Sequence, residues 1–130
     1  KLLYGVYAKN PPYREADLIV PVPIHKSRQK KRGFNQSALL AEELGKLTNI
    51  PFKEVLLKTK KTEVQANLNR KQRLENIKDC FECCDIEGVK GKAIILIDDV
   101  CTTSATLEEC AKTLKKAKAR EVLAITALRE

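Results

Sequence analysis

Two adjacent carboxylates, Asp98 and Asp99, precede the hydroxyls of Thr102, Thr103, Ser104 and Thr106, and this stretch is the best equipped for chemistry in the chain. Ionised carboxylates accept hydrogen bonds from sugar hydroxyls and suit a hydrated Mg²⁺, while hydroxyls donate to phosphate oxygens. The apolar run 93–97 that delivers the acids is continuous and rich in β-branched residues, as expected of a strand buried on both faces of a parallel sheet. Beyond Thr106, apolar residues recur at Leu107, Cys110, Ala111, Leu114 and Ala117, one face of a helix. The turn 102–106, including the backbone of Ala105, is therefore expected between the C-terminal end of a strand and the N-terminus of a helix. Unbonded N–H groups and the positive end of the helix dipole favour a phosphate dianion there. Phosphate on one side, and diol with metal on the other, describes a phosphorylated ribose.

Two other readings of the acidic pair compete. A Walker B strand would require a Gly-rich loop ending in Gly-Lys-Ser/Thr, and the sequence has none. Two surface carboxylates capping the following helix would leave the run of hydroxyls unexplained. The segment resembles the phosphoribosyl-diphosphate (PRPP) signature of type I phosphoribosyltransferases: four apolar residues, two acids, two variable residues, then Thr-Thr-Gly-x-Thr. Ser104 stands in place of the glycine, putting a Cβ where backbone should approach the phosphate.

The elements that must position these groups follow from periodicity. Stretches 18–22, 93–97 and 122–128 read as parallel strands alternating with helices, which predicts an α/β fold in one compact domain of 130 residues. Gly33-Phe34-Asn35-Gln36-Ser37 opens a helix with Asn35 as N-cap and Leu40, Ala41, Leu44 and Leu47 as its apolar face, ending at Asn49-Ile50-Pro51. A short strand is expected at 54–57, a polar loop with a helical turn near 70–77 over 58–78, a strand over 80–86 and a turn at 87–91. The longest apolar runs fall far short of a membrane span, no signal-peptide pattern is present, and a cytoplasmic protein is expected. The absence of methionine, even at position 1, points to a fragment of something longer.

Charge is uneven. Residues 26–78 hold fourteen Lys or Arg against five Asp or Glu, whereas the net charge of the whole chain is +8. Such a patch concentrates phosphorylated ligands or nucleic acid, although a solvated basic face has the same composition. Cys80, Cys83, Cys84, Cys101 and Cys110 make an odd number. The single C-x-x-C spacing cannot supply four zinc ligands with His25 as the only histidine, so the cysteines read as small apolar fillers in a reduced protein. Cys101, inside the phosphate turn, is the one placed for reactivity.

Three blocks together resemble the ComF family of phosphoribosyltransferase-like proteins, linked to DNA uptake in bacterial competence. The first is Val20-Pro-Val-Pro-Ile-His-Lys26 with Lys31-Arg-Gly-Phe-Asn-Gln-Ser37. The second runs through Thr62, Gln65, Leu68, Arg73, Asn76 and Phe81, and the PRPP-type turn is the third. More distantly, the blocks resemble the transferase domain of glutamine amidophosphoribosyltransferase. The four-cysteine zinc ribbon that longer relatives often carry at the N-terminus has no counterpart in this sequence.

The resemblance implies a type I phosphoribosyltransferase-like parallel sheet flanked by helices, and PRPP or a ribose phosphate bound with Mg²⁺. Thr102, Thr103, Ser104, Ala105 and Thr106 would hold the 5-phosphate, and Asp98 and Asp99 would face the ribose hydroxyls. The turn at Val22 and Pro23, with Arg73, would meet the pyrophosphate; no direct protein-metal ligand is implied. Two functions remain open. In one, the fold serves as a binding module in the competence DNA-uptake machinery, with Arg28, Lys30, Lys31 and Arg32 along single-stranded DNA; Phe34 stacking on a base is less economical than Phe34 buried at the start of a helix. Alternatively it is an active, Mg²⁺-dependent phosphoribosyltransferase of nucleotide metabolism, for which 130 residues leave little chain to build a base-recognising hood. His25 as a catalytic base is less economical than His25 as a surface residue.

Overall fold

The apolar runs at 18–22, 93–97 and 122–128 come together as one parallel sheet. The computed structural model describes residues 15–24, 35–59, 69, 71–72, 78–101 and 105–129, with backbone alone at 100–101 and 127–129. Along these the chain forms β1 (Leu18–Pro21), α1 (Gln36–Thr48), β2 (Leu56–Lys58), β3 (Phe81–Cys83), α2 (Ile86–Val89), β4 (Ala93–Cys101), α3 (Ala105–Lys116) and β5 (Glu121–Arg129). The strand order is β1-β4-β5, and β2 and β3 form a separate antiparallel pair. Both pairings of the larger sheet are parallel, with Leu18 opposite Ile94 and Ala93 opposite Glu121.

Alternation along the strands sends side chains to opposite faces, and each face has its own core. Leu18, Val20, Ile94 and Leu96 pack with Leu107, Cys110 and Leu114 of α3 and with Leu56 and Phe81 of the small sheet. Ile19, Ile95, Ile97 and Ile125 pack with Ala41 and Leu44 of α1. Two-sided burial is why β4 reads as an unbroken apolar run. Pro21 is tolerated because of its phase. The Ile19 N–H turns outward to the Pro51 carbonyl at 2.8 Å and the Val22 N–H turns to Ile97 of β4 at 2.8 Å, so the N–H that Pro21 lacks would have faced away from β4. No helix among the described residues is long and apolar enough to cross a membrane.

Several boundaries depart from the expectations above. Leu47 was placed on the buried stripe of α1 but is 47% exposed. It lies three residues on from Leu44, roughly 60° round the helix, and the inward positions belong to Ser37, Ala41 and Leu44. The strand expected over 80–86 is only Phe81–Cys83, and α2, starting at Ile86, takes the first half of the expected turn at 87–91. Asp85 causes both changes: its carboxylate caps α2 by accepting from the Gly88 N–H at 3.0 Å, which ends the extended stretch. Cys84 is exposed and is no filler, whereas Cys80 and Cys110 are buried apolar residues. The helical turn expected near 70–77 falls mostly outside the described residues, as do His25 and Phe34.

Candidate functional site

The acids do not follow the strand, as the sequence suggested; they belong to it. β4 continues through Asp98 and Asp99 to Cys101 because β5 runs on beside it, with Asp98 opposite Thr126 and Cys101 opposite Arg129. Asp98 is consequently 9% exposed, and Asp99 is half-buried. Burial above all, then the hydrogen bond and charge of Asp99, pushes the Asp98 carboxyl up to about 7, against the opposing pull of the Asp99 N–H and the Ser37 hydroxyl. Beneath it, the buried Cys110 thiol is pushed well above its usual range, chiefly by burial and secondarily by the Asp98 charge.

A residue given no individual role by the sequence reading sits against both acids. Ser37, 3% exposed, places its Oγ 3.3 Å from Asp98 Oδ1 and 3.5 Å from Asp99 Oδ1, and accepts the Asp99 N–H at 3.1 Å. The Asp99 N–H also approaches Asp98 Oδ1 at 3.0 Å. Ser37 is held by the start of α1. Asn35 caps that helix, accepting from Ser37 N at 3.0 Å and Ala38 N at 3.4 Å, and donates through Nδ2 to the Val22 carbonyl at 3.2 Å. The signal available in the sequence was a hydroxyl on the buried stripe Ser37, Ala41, Leu44, where a helix ordinarily places apolar groups.

Val22 and Pro23, expected to meet a pyrophosphate, lie at this same end of the sheet. Val22 is buried, its N–H is bonded to Ile97 and its carbonyl to Asn35, and proline has no N–H. Backbone donors for a diphosphate therefore begin no earlier than Ile24. Ala105 and Thr106, expected in the phosphate turn, form the first two residues of α3. The Ala105 side chain is buried in the core, so it offers backbone alone, and Thr106 is half-buried. Thr102, Thr103, Ser104, Arg28, Lys30, Lys31, Arg32 and Arg73 lie outside the described residues, and Cys101 is described by backbone only.

The parallel sheet is thus packed on both faces, with the acid pair at the end of β4 held against the start of α1, and the comparisons with known proteins give this arrangement its class, a phosphoribosyltransferase-like domain. Residues 30–130 match the phosphoribosyl transferase domain family. The fold also matches glutamine phosphoribosylpyrophosphate amidotransferase from Bacillus subtilis at a TM-score of 0.63 and 20% identity, covering 97% of this chain and 25% of that one. The chain belongs to the phosphoribosyltransferase-like ComF family. It is 34% identical over 108 residues to Competence protein F of Haemophilus influenzae, covering 82% of this chain and 47% of that protein. It is 36% identical over 113 residues to Competence protein ComFC of Bacillus subtilis, covering 86% of this chain and 44% of that protein. The chain thus spans a little under half the length of the curated relatives it matches.

Proposed function

We propose that this domain binds PRPP or a ribose phosphate together with Mg²⁺ and acts in DNA uptake, with its basic segment holding single-stranded DNA. The observation that carries the reading is the acid pair: a buried strand presents two carboxylates, one of them desolvated, against the start of α1. Desolvating a carboxylate is costly, and the arrangement makes sense where a ligand supplies compensating donors or a cation. Asp98 and Asp99 would accept from the ribose hydroxyls, and the α3 N-terminus at Ala105 and Thr106 would meet the 5-phosphate. The competence names of the relatives support the DNA-uptake role.

The residues present fit Mg²⁺ carried by the ligand. Among the described residues no group of three or more His, Cys, Asp or Glu is placed to hold a metal unaided. Mg²⁺ keeps much of its water and would arrive on the phosphate oxygens of the ligand, with Asp98 and Asp99 facing its hydration shell rather than bonded to it. Bound there, it would neutralise the charge of a diphosphate. The second reading, an active transferase, is supported by the family match over residues 30–130. The protein's part would be electrostatic and positional.

Calorimetric titration with PRPP and Mg²⁺, repeated with single-stranded DNA present, tests the proposal. The wild-type protein should bind PRPP, and an Asp98→Asn/Asp99→Asn variant should fold and lose the Mg²⁺-dependent part. Equal affinity in that variant would remove the ribose role. Release of pyrophosphate when nucleobases or ammonia are supplied as acceptors, the acceptor nitrogen bonding to C1 as pyrophosphate leaves, would move the assignment to the transferase.

A further inference from the structure

We infer that Ser37 is a positioning residue of this site, holding the carboxylates of Asp98 and Asp99 in one arrangement and coupling them to the Val22 turn through Asn35. The inference rests on the ribose phosphate reading above. Its basis is a chain of bonds joining three segments distant in sequence. Val22 N–H bonds to Ile97 at 2.8 Å, Asn35 Nδ2 to the Val22 carbonyl at 3.2 Å, Ser37 N–H to Asn35 Oδ1 at 3.0 Å, and Ser37 Oγ to Asp98 Oδ1 at 3.3 Å.

The hydroxyl carries one hydrogen and lies near two carboxylates, at 3.3 and 3.5 Å, so it donates to one at a time. Both separations are long for a hydrogen bond to a carboxylate, which leaves each acid able to shorten contacts with a ligand. The lone pair of Ser37 fixes the Asp99 backbone through its N–H at 3.1 Å. Packing does not require this oxygen, because the same stripe continues as Ala41 and Leu44. Nor would its loss strand the Asp99 N–H, which keeps Asp98 Oδ1 at 3.0 Å. The hydroxyl is accordingly dispensable to the fold and specific to the orientation of the acids.

The test compares PRPP with Mg²⁺ against inorganic phosphate alone, by calorimetry, on wild-type protein and Ser37 variants. Ser37→Ala should weaken PRPP–Mg²⁺ binding about tenfold to a hundredfold while leaving phosphate affinity and the circular dichroism spectrum unchanged. Ser37→Thr, which restores a hydroxyl, should recover most of the loss. Ser37→Cys keeps the volume with a weaker donor and should show the same loss if Ser37→Ala does not fold. Undiminished PRPP binding in Ser37→Ala or Ser37→Cys, beside a wild type that binds, overturns the role of Ser37 and leaves the ribose phosphate reading standing. Equal weakening of PRPP and phosphate would mark a general structural effect and also overturn it. A wild type that binds no PRPP overturns both.

Discussion

Asp98 and Asp17 illustrate how one side-chain type acquires opposite pH behaviour from its surroundings. Asp98 is buried beside a second carboxylate, and its pKa rises from 3.8 to about 7. Between those values the folded protein holds a proton that the unfolded chain releases, so stability falls as pH rises through that window. Asp17, at the other end of the sheet, accepts the Ala93 N–H at 2.9 Å and pairs with Arg120 at 3.5 Å. The Ala93 bond, more than the arginine, lowers its pKa below 3.8. Its contribution is present above the ordinary carboxylate value and is lost as pH falls through the lowered one. We expect the melting temperature of the ligand-free protein to decline from pH 5 to pH 8, and Asp98→Asn to flatten that decline. The effect is on the order of a few kcal/mol at most, set by the size of the shift. Thermal scans across that range check it; an unchanged slope in Asp98→Asn would show that the burial of Asp98 is not felt as a proton affinity.

Helix α1 sets the distance between Ser37 and the acids, and its two ends are fixed by different means. Removing the cap with Asn35→Ala should cost about 1 kcal/mol in chemical denaturation, with a further loss from the unbonded Val22 carbonyl. At the other end, Gly45 faces the returning chain: a Cβ there would stand 3.1 Å from the Ile50 carbonyl oxygen and 3.4 Å from Phe52 Cβ. Alanine raises helix propensity by roughly 1 kcal/mol over glycine, but a backbone oxygen cannot swing aside as a side chain can. Gly45→Ala should therefore be neutral to destabilising; a midpoint raised by the full propensity gain would mean that α1 shifts freely on the sheet. The same elements show what the sequence made legible. The core strands and the α1 cap were readable because two-sided burial and N-capping leave local patterns. Leu47 misled because an apolar residue at the edge of a stripe resembles one at its centre, and α2 was hidden because its start depends on a single carboxylate, Asp85. Both acids stand out in the sequence by their types and their place after an apolar run, but Ser37 is joined to Asp98 across 61 positions, and no local window contains that bond.

For the whole chain, the charge of +8 and the basic excess in 26–78 govern how nucleic acid would be met. Single-stranded DNA held through three or four phosphates should lose affinity with a log–log salt slope near −2 to −3, at roughly 0.7 per phosphate. Replacing Arg28, Lys30, Lys31 and Arg32 by Ala should flatten that slope in a fluorescence titration. No DNA binding at low salt would leave the basic segment to the diphosphate or to solvent. The topology has one more consequence. β4, α3 and β5 are consecutive, so they can zip together locally, whereas β1 and α1 join them from far upstream. Contacts between distant parts of a chain are closed late, because the loop entropy is lost before the contacts repay it. During refolding, amide protection should accordingly appear in β4 and β5 before β1, as pulse-labelled hydrogen exchange would record. The carboxylates reach their strand early, and the serine that orients them arrives only when the first third of the chain docks, so a half-folded molecule carries the acids without the site.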